Sequence, residues 1–224
     1  MSITRSKVIA RGKFTCQRAY DLKTCPNMRR HPLKLLEDRI RRDGVVREGN
    51  ILKVDSFLNH QIDVKFMEAL GEEIARRFSS CGVTKVLTVE ASGIALAFPV
   101  AQKIGCDMVF AKKSQTKNLG SSVYSTPVES FTHGCVYDIR VAKEYLNEDD
   151  VVLIVDDFLA NGNAVRGLLD IVKKAGAKPA GVAIAIEKGF QDGGKRLRED
   201  GVRLESMAIV ESMDATTGEI VFAD

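Results

Sequence analysis

Apolar positions along this chain follow two different periods. Short apolar-rich runs occur at Lys85 to Val89, Met108 to Ala111, Val151 to Val155 and Ala180 to Ile186. They are rich in β-branched residues, the composition of strands buried on both faces of a parallel sheet. Between them lie stretches with helical spacing. Leu33, Leu36 and Ile40 share one face, with Pro32 suited to the first turn and Gly44 to the end. Asp63 can cap a helix from Val64 to about Ser80, whose apolar face is Met67, Leu70, Ile74 and Phe78, closed by Cys81-Gly82. Further helices are predicted from about Ile94 to Lys103, over Val165, Leu168, Leu169 and Val172 with Gly176 as the stop, and from Gly193 to Asp200. Ile51 to Val54, Val202 to Glu211 and Glu219 to Phe222 read as strands, the last preceded by a Thr217-Gly218 turn. Val123 to Val141 reads as a hairpin about His133-Gly134, and Glu144 to Asp150 as an acidic turn. Strands alternating with helices predict one α/β domain around a mostly parallel sheet. There is no internal repeat and no second domain.

The densest chemistry is in Val151 to Ala164, VVLIVDDFLANGNA. Asp156 and Asp157 follow the apolar run at its C-terminal end. A loop from Phe158 to Asn163 leads to a helix. Strand, small-residue loop and helix N-terminus form an anion cradle, because free N–H groups and the helix dipole meet there. Ala160, Asn161, Gly162, Asn163 and Ala164 carry little bulk, so a phosphate can reach their backbone. The two carboxylates can accept from sugar hydroxyls, hold Mg²⁺ through water, or stabilise a cationic centre. The blander alternative is a buried strand ending in a solvated Asp-Asp turn. Glu90-Ala91-Ser92-Gly93 makes a second strand–loop–helix cradle. Lys112 to Ser125 is polar and carries Lys112, Lys113 and Lys117; a long polar loop in a compact domain is usually functional, although a solvated charge is the plainer account of Lys117.

Composition narrows the classes. The chain has 224 residues, 45% hydrophobic and 28% charged, enough for one sizeable core. No apolar run approaches the roughly 20 residues that cross a bilayer. Cysteines at 16, 25, 81, 106 and 135 form no CxxC pair, which supports neither zinc nor a disulfide framework and fits a reducing cytoplasm. The net charge is +3, but residues 1–34 hold nine Lys/Arg against Asp21 alone, so the rest is acidic. A protein-wide basic face for nucleic acid is therefore not supported; the basic charge is local. Residues 1–27 show no helical or strand period and no secretory core. A transit peptide and a nucleic-acid-binding arm compete there with a disordered extension upstream of Met28, which is the simplest expectation.

These residues carry a family resemblance. VLIVDDFLANGNA resembles the phosphoribosyl-diphosphate (PRPP) signature of type I phosphoribosyltransferases, except that Asn161 and Ala164 stand where many members have threonines. DDFLANG, and the segment ILKVDSFLNHQID at Ile51 to Asp63, resemble the xanthine-using branch. The resemblance covers nearly the whole chain from Met28. It implies the type I phosphoribosyltransferase fold, with a small hood from about residues 28–62 plus C-terminal strands over the base site. It implies PRPP and xanthine as substrates, Mg²⁺ arriving with PRPP and no direct protein ligand to the metal, and a homodimer. Asp156 and Asp157 would be catalytic, Ala160–Ala164 would hold the 5′-phosphate, and Ala91, Ser92 and Gly93 the pyrophosphate. Lys112 and Lys113 would belong to a mobile loop that excludes water. Leu52, Asn59 and Lys188 would contact the purine. An ammonium only donates, so Lys188 suits a carbonyl O6 and disfavours the amino group of adenine. Two have an ordinary alternative: a turn cap for Asn59 and a surface lysine for Lys188. Hypoxanthine–guanine relatives often have an aspartate where Ala160 stands, which leaves purine proton handling unassigned. Two alternatives remain open: another purine as acceptor, or a PRPP-sensing purine-operon regulator, for whose winged helix 27 residues are too short.

Overall fold

The computed structural model describes residues 33–113, 122–130 and 135–223. Residues 1–27, Pro32, Lys117 and the His133-Gly134 turn lie outside the described residues. In chain order the elements are α1 (Lys34–Asp43), β1 (Val45–Arg47), β2 (Ile51–Lys53), one π-helical turn (Asp55–Asn59), α2 (Val64–Arg77), β3 (Lys85–Val89), α3 (Ser92–Ile104) and β4 (Asp107–Ala111). They continue with β5 (Val123–Ser130), β6 (Cys135–Ala142), a 3₁₀ turn (Lys143–Tyr145), β7 (Val151–Leu159), α4 (Asn163–Lys174), β8 (Lys178–Lys188), α5 (Asp192–Glu199), β9 (Leu204–Met213) and β10 (Ile220–Phe222).

Six strands form one sheet in the order β10-β9-β8-β7-β3-β4, parallel except for β10. The apolar runs are unbroken because both faces are covered. On β7, Leu153 and Val155 join a core with Val86, Leu96 and Val100 on the α2–α3 side. Val152 and Ile154 join another with Leu168, Ile171 and Val172 of α4, and with Val128 and Ile139 of the β5–β6 hairpin.

The strand order reverses between β7 and β3. From β3 the chain moves outward to β4; from β7 it moves the opposite way to β8. In open α/β sheets such a switch point leaves a crevice at the strands' carboxyl ends, where ligands bind. Here the β3–β7 ladder stops at Leu87–Ile154, whereas the β7–β8 ladder continues to Leu159–Glu187. The strand ends therefore part just below the two acids.

Above this end sits the hood, α1 with the β1–β2 hairpin and the π turn. Asp63 caps α2 by accepting from the Phe66 amide at 3.2 Å, and it holds α1 through Arg39 at 2.7 Å. The Arg39 guanidinium lies 4.9 and 5.3 Å from the Phe57 and Phe66 rings. Several expected boundaries move. α3 opens at Ser92 rather than Ile94, and α2 ends at Arg77. β7 runs on to Leu159, so Phe158 and Leu159 belong to the strand, because β8 supplies ladder partners as far as Glu187. β9 and β10 are outer strands of the main sheet, with the Leu33 amide of the hood donating to Met207 O on β9 at 2.6 Å.

Candidate active site

The crevice is lined by the two turns that flank the switch point. On one side β7 ends and Ala160, Asn161 and Gly162 lead into α4. Gly162 has φ +82°, a conformation that glycine adopts without cost. No side chain caps α4, so its first amides face the crevice entrance free of a cap. Asn163 turns outward instead, its Nδ2 donating to Glu129 O on β5 at 3.2 Å, while Ala164 starts the packed face of the helix. On the other side Ala91 precedes α3, which also has no side-chain cap, so Ser92 and Gly93 present backbone. Both predicted cradles are thus adjacent, at the one place where the sheet opens.

Asp156 and Asp157 stand between them, 6% and 7% exposed, and the Asp157 amide donates to Asp156 Oδ1 at 3.1 Å. A Cβ added to Gly93 would lie 2.7 Å from Asp156 Oδ1, which shows how closely the α3 turn approaches the acid. Burial, and then the Asp157 carboxylate, push the Asp156 carboxyl well above the usual carboxylate range, against the pull of the Lys113 ammonium. Lys113 is held beside the site, its amide donating to Glu90 Oε1 at 2.5 Å and its ammonium 5.5 Å from the Tyr137 ring. Lys112 goes elsewhere. It pairs with Arg140 across an isolated bridge and lines a groove along β4 with Phe98, Phe110 and Tyr145. The two neighbouring lysines therefore sit in different surroundings.

The hood supplies the other wall. Lys188, at the end of β8, donates from Nζ to Asn50 O at 2.8 Å, tying the hairpin turn to the sheet. Its Nζ is 5.8 Å from the Phe158 ring, and burial lowers its pKa from the ordinary lysine value. Two N–H donors of the ammonium remain for a ligand. Leu52 faces inward on the hairpin and is buried among Val54, Phe57 and Leu58. Asn59 ends the π turn, and its Oδ1 is buried with no hydrogen-bond partner among the described residues. A buried amide oxygen left unpaired calls for a donor.

Three features escape sequence reasoning. The sequence places Phe158 in the loop, but as the half-buried penultimate residue of β7 it presents a ring beside Lys188. Gly193 of α5 donates from its amide to Ala160 O at 3.1 Å and so backs the loop before α4; nothing in the local sequence joins positions 33 residues apart. Glu187 next to Lys188 is 3% exposed and pairs with Arg198 through two bonds of 2.7 Å.

A family model described as the phosphoribosyl transferase domain matches residues 54–210. The xanthine phosphoribosyltransferase of Lachnoclostridium phytofermentans is 53% identical over 190 residues, spanning 85% of this chain and 98% of its own. That of Bifidobacterium longum is 52% identical over 188 residues, 84% of this chain and 97% of its own. Among solved structures, adenine phosphoribosyltransferase from Thermoanaerobacter pseudethanolicus superposes with a TM-score of 0.58 at 26% identity, covering 66% of this chain and 81% of its own. The Rhodothermus marinus adenine enzyme gives 0.65 at 21% identity, covering 79% and 99%, a likeness of fold alone.

Proposed function

The chain belongs to the phosphoribosyl transferase family, and from that premise we propose that it transfers the 5-phosphoribosyl group of PRPP to xanthine, giving xanthosine 5′-monophosphate and pyrophosphate. The observation that carries this is the pair of uncapped helix starts on either side of Asp156 and Asp157. PRPP has phosphate at both ends of one ribose, and the crevice offers an amide cradle on each side of two acids. Ala160–Ala164 hold the 5′-phosphate, and the Ala91–Gly93 turn with Lys113 holds the diphosphate. Asp156 and Asp157 accept from the ribose hydroxyls and place negative charge beside the oxocarbenium-like ring as pyrophosphate departs. Among the described residues no three His, Cys, Asp or Glu side chains gather as a metal cage. The two aspartates are oxygen donors that would hold Mg²⁺ through water, so the residues fit an ion brought by PRPP. Such an ion would neutralise charge on the leaving group.

At the base end, Lys188 donates to O6, Asn59 Oδ1 accepts from a purine N–H, Phe158 stacks, and Leu52 closes the hood. Pyrophosphate release should therefore be fastest with xanthine among xanthine, guanine, hypoxanthine and adenine, in the presence of Mg²⁺ and PRPP. Lys188→Ala should lower kcat/KM for oxo-purines by about tenfold or more, the cost of an unmet buried acceptor. Release led by adenine would overturn the roles of Asn59 and Lys188. PRPP binding without release from any base would make the protein a PRPP-sensing regulator.

We place this activity in the cytoplasm, and in a homodimer. Among the described residues no helix is long and apolar enough to cross a membrane. β4 is an edge strand, and beside it Phe98, Phe110 and Tyr145 are exposed around a groove of about 780 Å³ with both charge signs on its rim, Lys85 and Glu144 among them. A second copy meeting this edge covers its aromatic surface. Sedimentation should give about twice the chain mass of 24.6 kDa; a monomer at that mass would refute the contact.

A further inference from the structure

Thr88 is the penultimate residue of β3, 0% exposed, and lies beneath the α3 turn. Its Oγ1 has no hydrogen-bond partner among the described residues. Threonine hydroxyls in cores usually find one, because a stranded hydroxyl destabilises the fold and valine has the same shape without it. A Cβ built on Gly93 would overlap Thr88 Oγ1 and lie 2.7 Å from Asp156 Oδ1. Both oxygens thus face one methyl-sized space, which exists because residue 93 has no side chain. The β3–β7 ladder ends one residue earlier, at Leu87–Ile154, so no strand pairing intervenes between Thr88 and the acid.

We propose that Thr88 is a positioning residue for Asp156: its hydroxyl donates to the Asp156 carboxylate and fixes the rotamer in which that carboxylate receives the ribose hydroxyls. This rests on the assignment of Asp156 to the ribose. The chemistry suits the pair. Asp156 Oδ1, the oxygen that faces this space, already accepts from the Asp157 amide and has a second lone pair to offer, so a small turn of the carboxyl toward the rotatable hydroxyl completes the bond. A donor to a carboxylate is stronger than one to a neutral acceptor, so one such bond is enough to hold a single rotamer. The stranded hydroxyl in the free protein is then a stability cost kept for function.

The experiment compares Thr88→Val, Thr88→Ser, Asp156→Asn and the Thr88→Val/Asp156→Asn double variant in the full chain, by steady-state kinetics and thermal melting. Thr88→Val should lower kcat/KM for PRPP by about tenfold to a hundredfold, leave KM for xanthine within about twofold, and melt at or above the parent temperature. Thr88→Ser should regain most of the rate. The double variant should be no slower than Asp156→Asn, because a group that acts through Asp156 has nothing left to position. A Thr88→Val protein with parental kcat/KM, while Asp156→Asn is impaired, would overturn the proposal and leave the Asp156 assignment standing. Losses that multiply in the double variant, or a slow Thr88→Val that melts early and is not restored by serine, would overturn it as well. An Asp156→Asn protein with parental rate would remove the ribose assignment together with the proposal.

Discussion

Asp156→Asn and Asp157→Asn should each lower turnover by about 10²–10³-fold, the usual cost of removing one preorganised group that stabilises transition-state charge. The fold should not suffer, and for Asp156 the sign of the effect is fixed by burial. Its folded pKa is raised above the unfolded value, so the folded state binds the proton more tightly. The carboxyl therefore lowers stability progressively as pH rises from the ordinary aspartate range through the raised folded pKa, and the full cost is present above it. Asparagine carries no such charge. Asp156→Asn should accordingly melt at or above the parent temperature at neutral pH, with the advantage shrinking in acid. Slow turnover combined with undiminished melting separates a site carboxylate from a structural one. Parental turnover in either variant would take that residue out of the mechanism, and a melting temperature that falls sharply would mean the acid holds the crevice together.

Much of this site is visible along the chain because its parts are local. Each cradle is a strand end, a small-residue loop and a helix start, all within fifteen residues, and each is announced by composition. The apolar run of β7, the acids and Gly162 sit in one continuous stretch. What the sequence hides depends on which strands are neighbours. The end of β7 was misplaced by two residues, since Phe158 and Leu159 are strand only because β8 offers them partners. The separate fates of Lys112 and Lys113 depend on Arg140 and Tyr137 of β6, which no period in the sequence places beside them. Thr88 reads as an ordinary β-branched strand residue; its importance comes from Gly93 and Asp156 lying against it. Glu187 reads as a polar strand end, yet it is buried by Arg198 and the Ser206 hydroxyl. Local pattern therefore gives the cradles, and tertiary contact decides how they are held.

Gly193→Ala tests that holding directly. Two effects oppose each other at this position. In an exposed helix alanine is favoured over glycine by about 1 kcal/mol. Here the added Cβ would overlap Ala160 O and lie 2.7 Å from both Asn161 C and Gly162 N, all backbone atoms of the phosphate loop. Overpacking of this kind costs about 1–3 kcal/mol, so the clash wins. α5 is poorly free to retreat. Arg198 grips Glu187 at 2.7 Å through both terminal guanidinium nitrogens, and a Cβ at Gly194 would meet that same carboxylate. The loop must move instead, and a displacement of even 1 Å in a substrate-positioning element can cost about a hundredfold. We expect kcat/KM for PRPP to fall by about tenfold to a hundredfold, with KM for xanthine nearly unchanged, since the proposed base contacts lie at Lys188 and the hood. Gly201→Ala is the control. Gly201 has φ +78° and nothing within 4 Å of its would-be Cβ, so it carries backbone strain without a clash. It should lower the melting temperature and leave KM for PRPP alone. If Gly193→Ala matches that control, α5 supports the fold and not the phosphate loop. If only Gly193→Ala weakens PRPP, then the short helix that begins downstream at Asp192 is part of the substrate site.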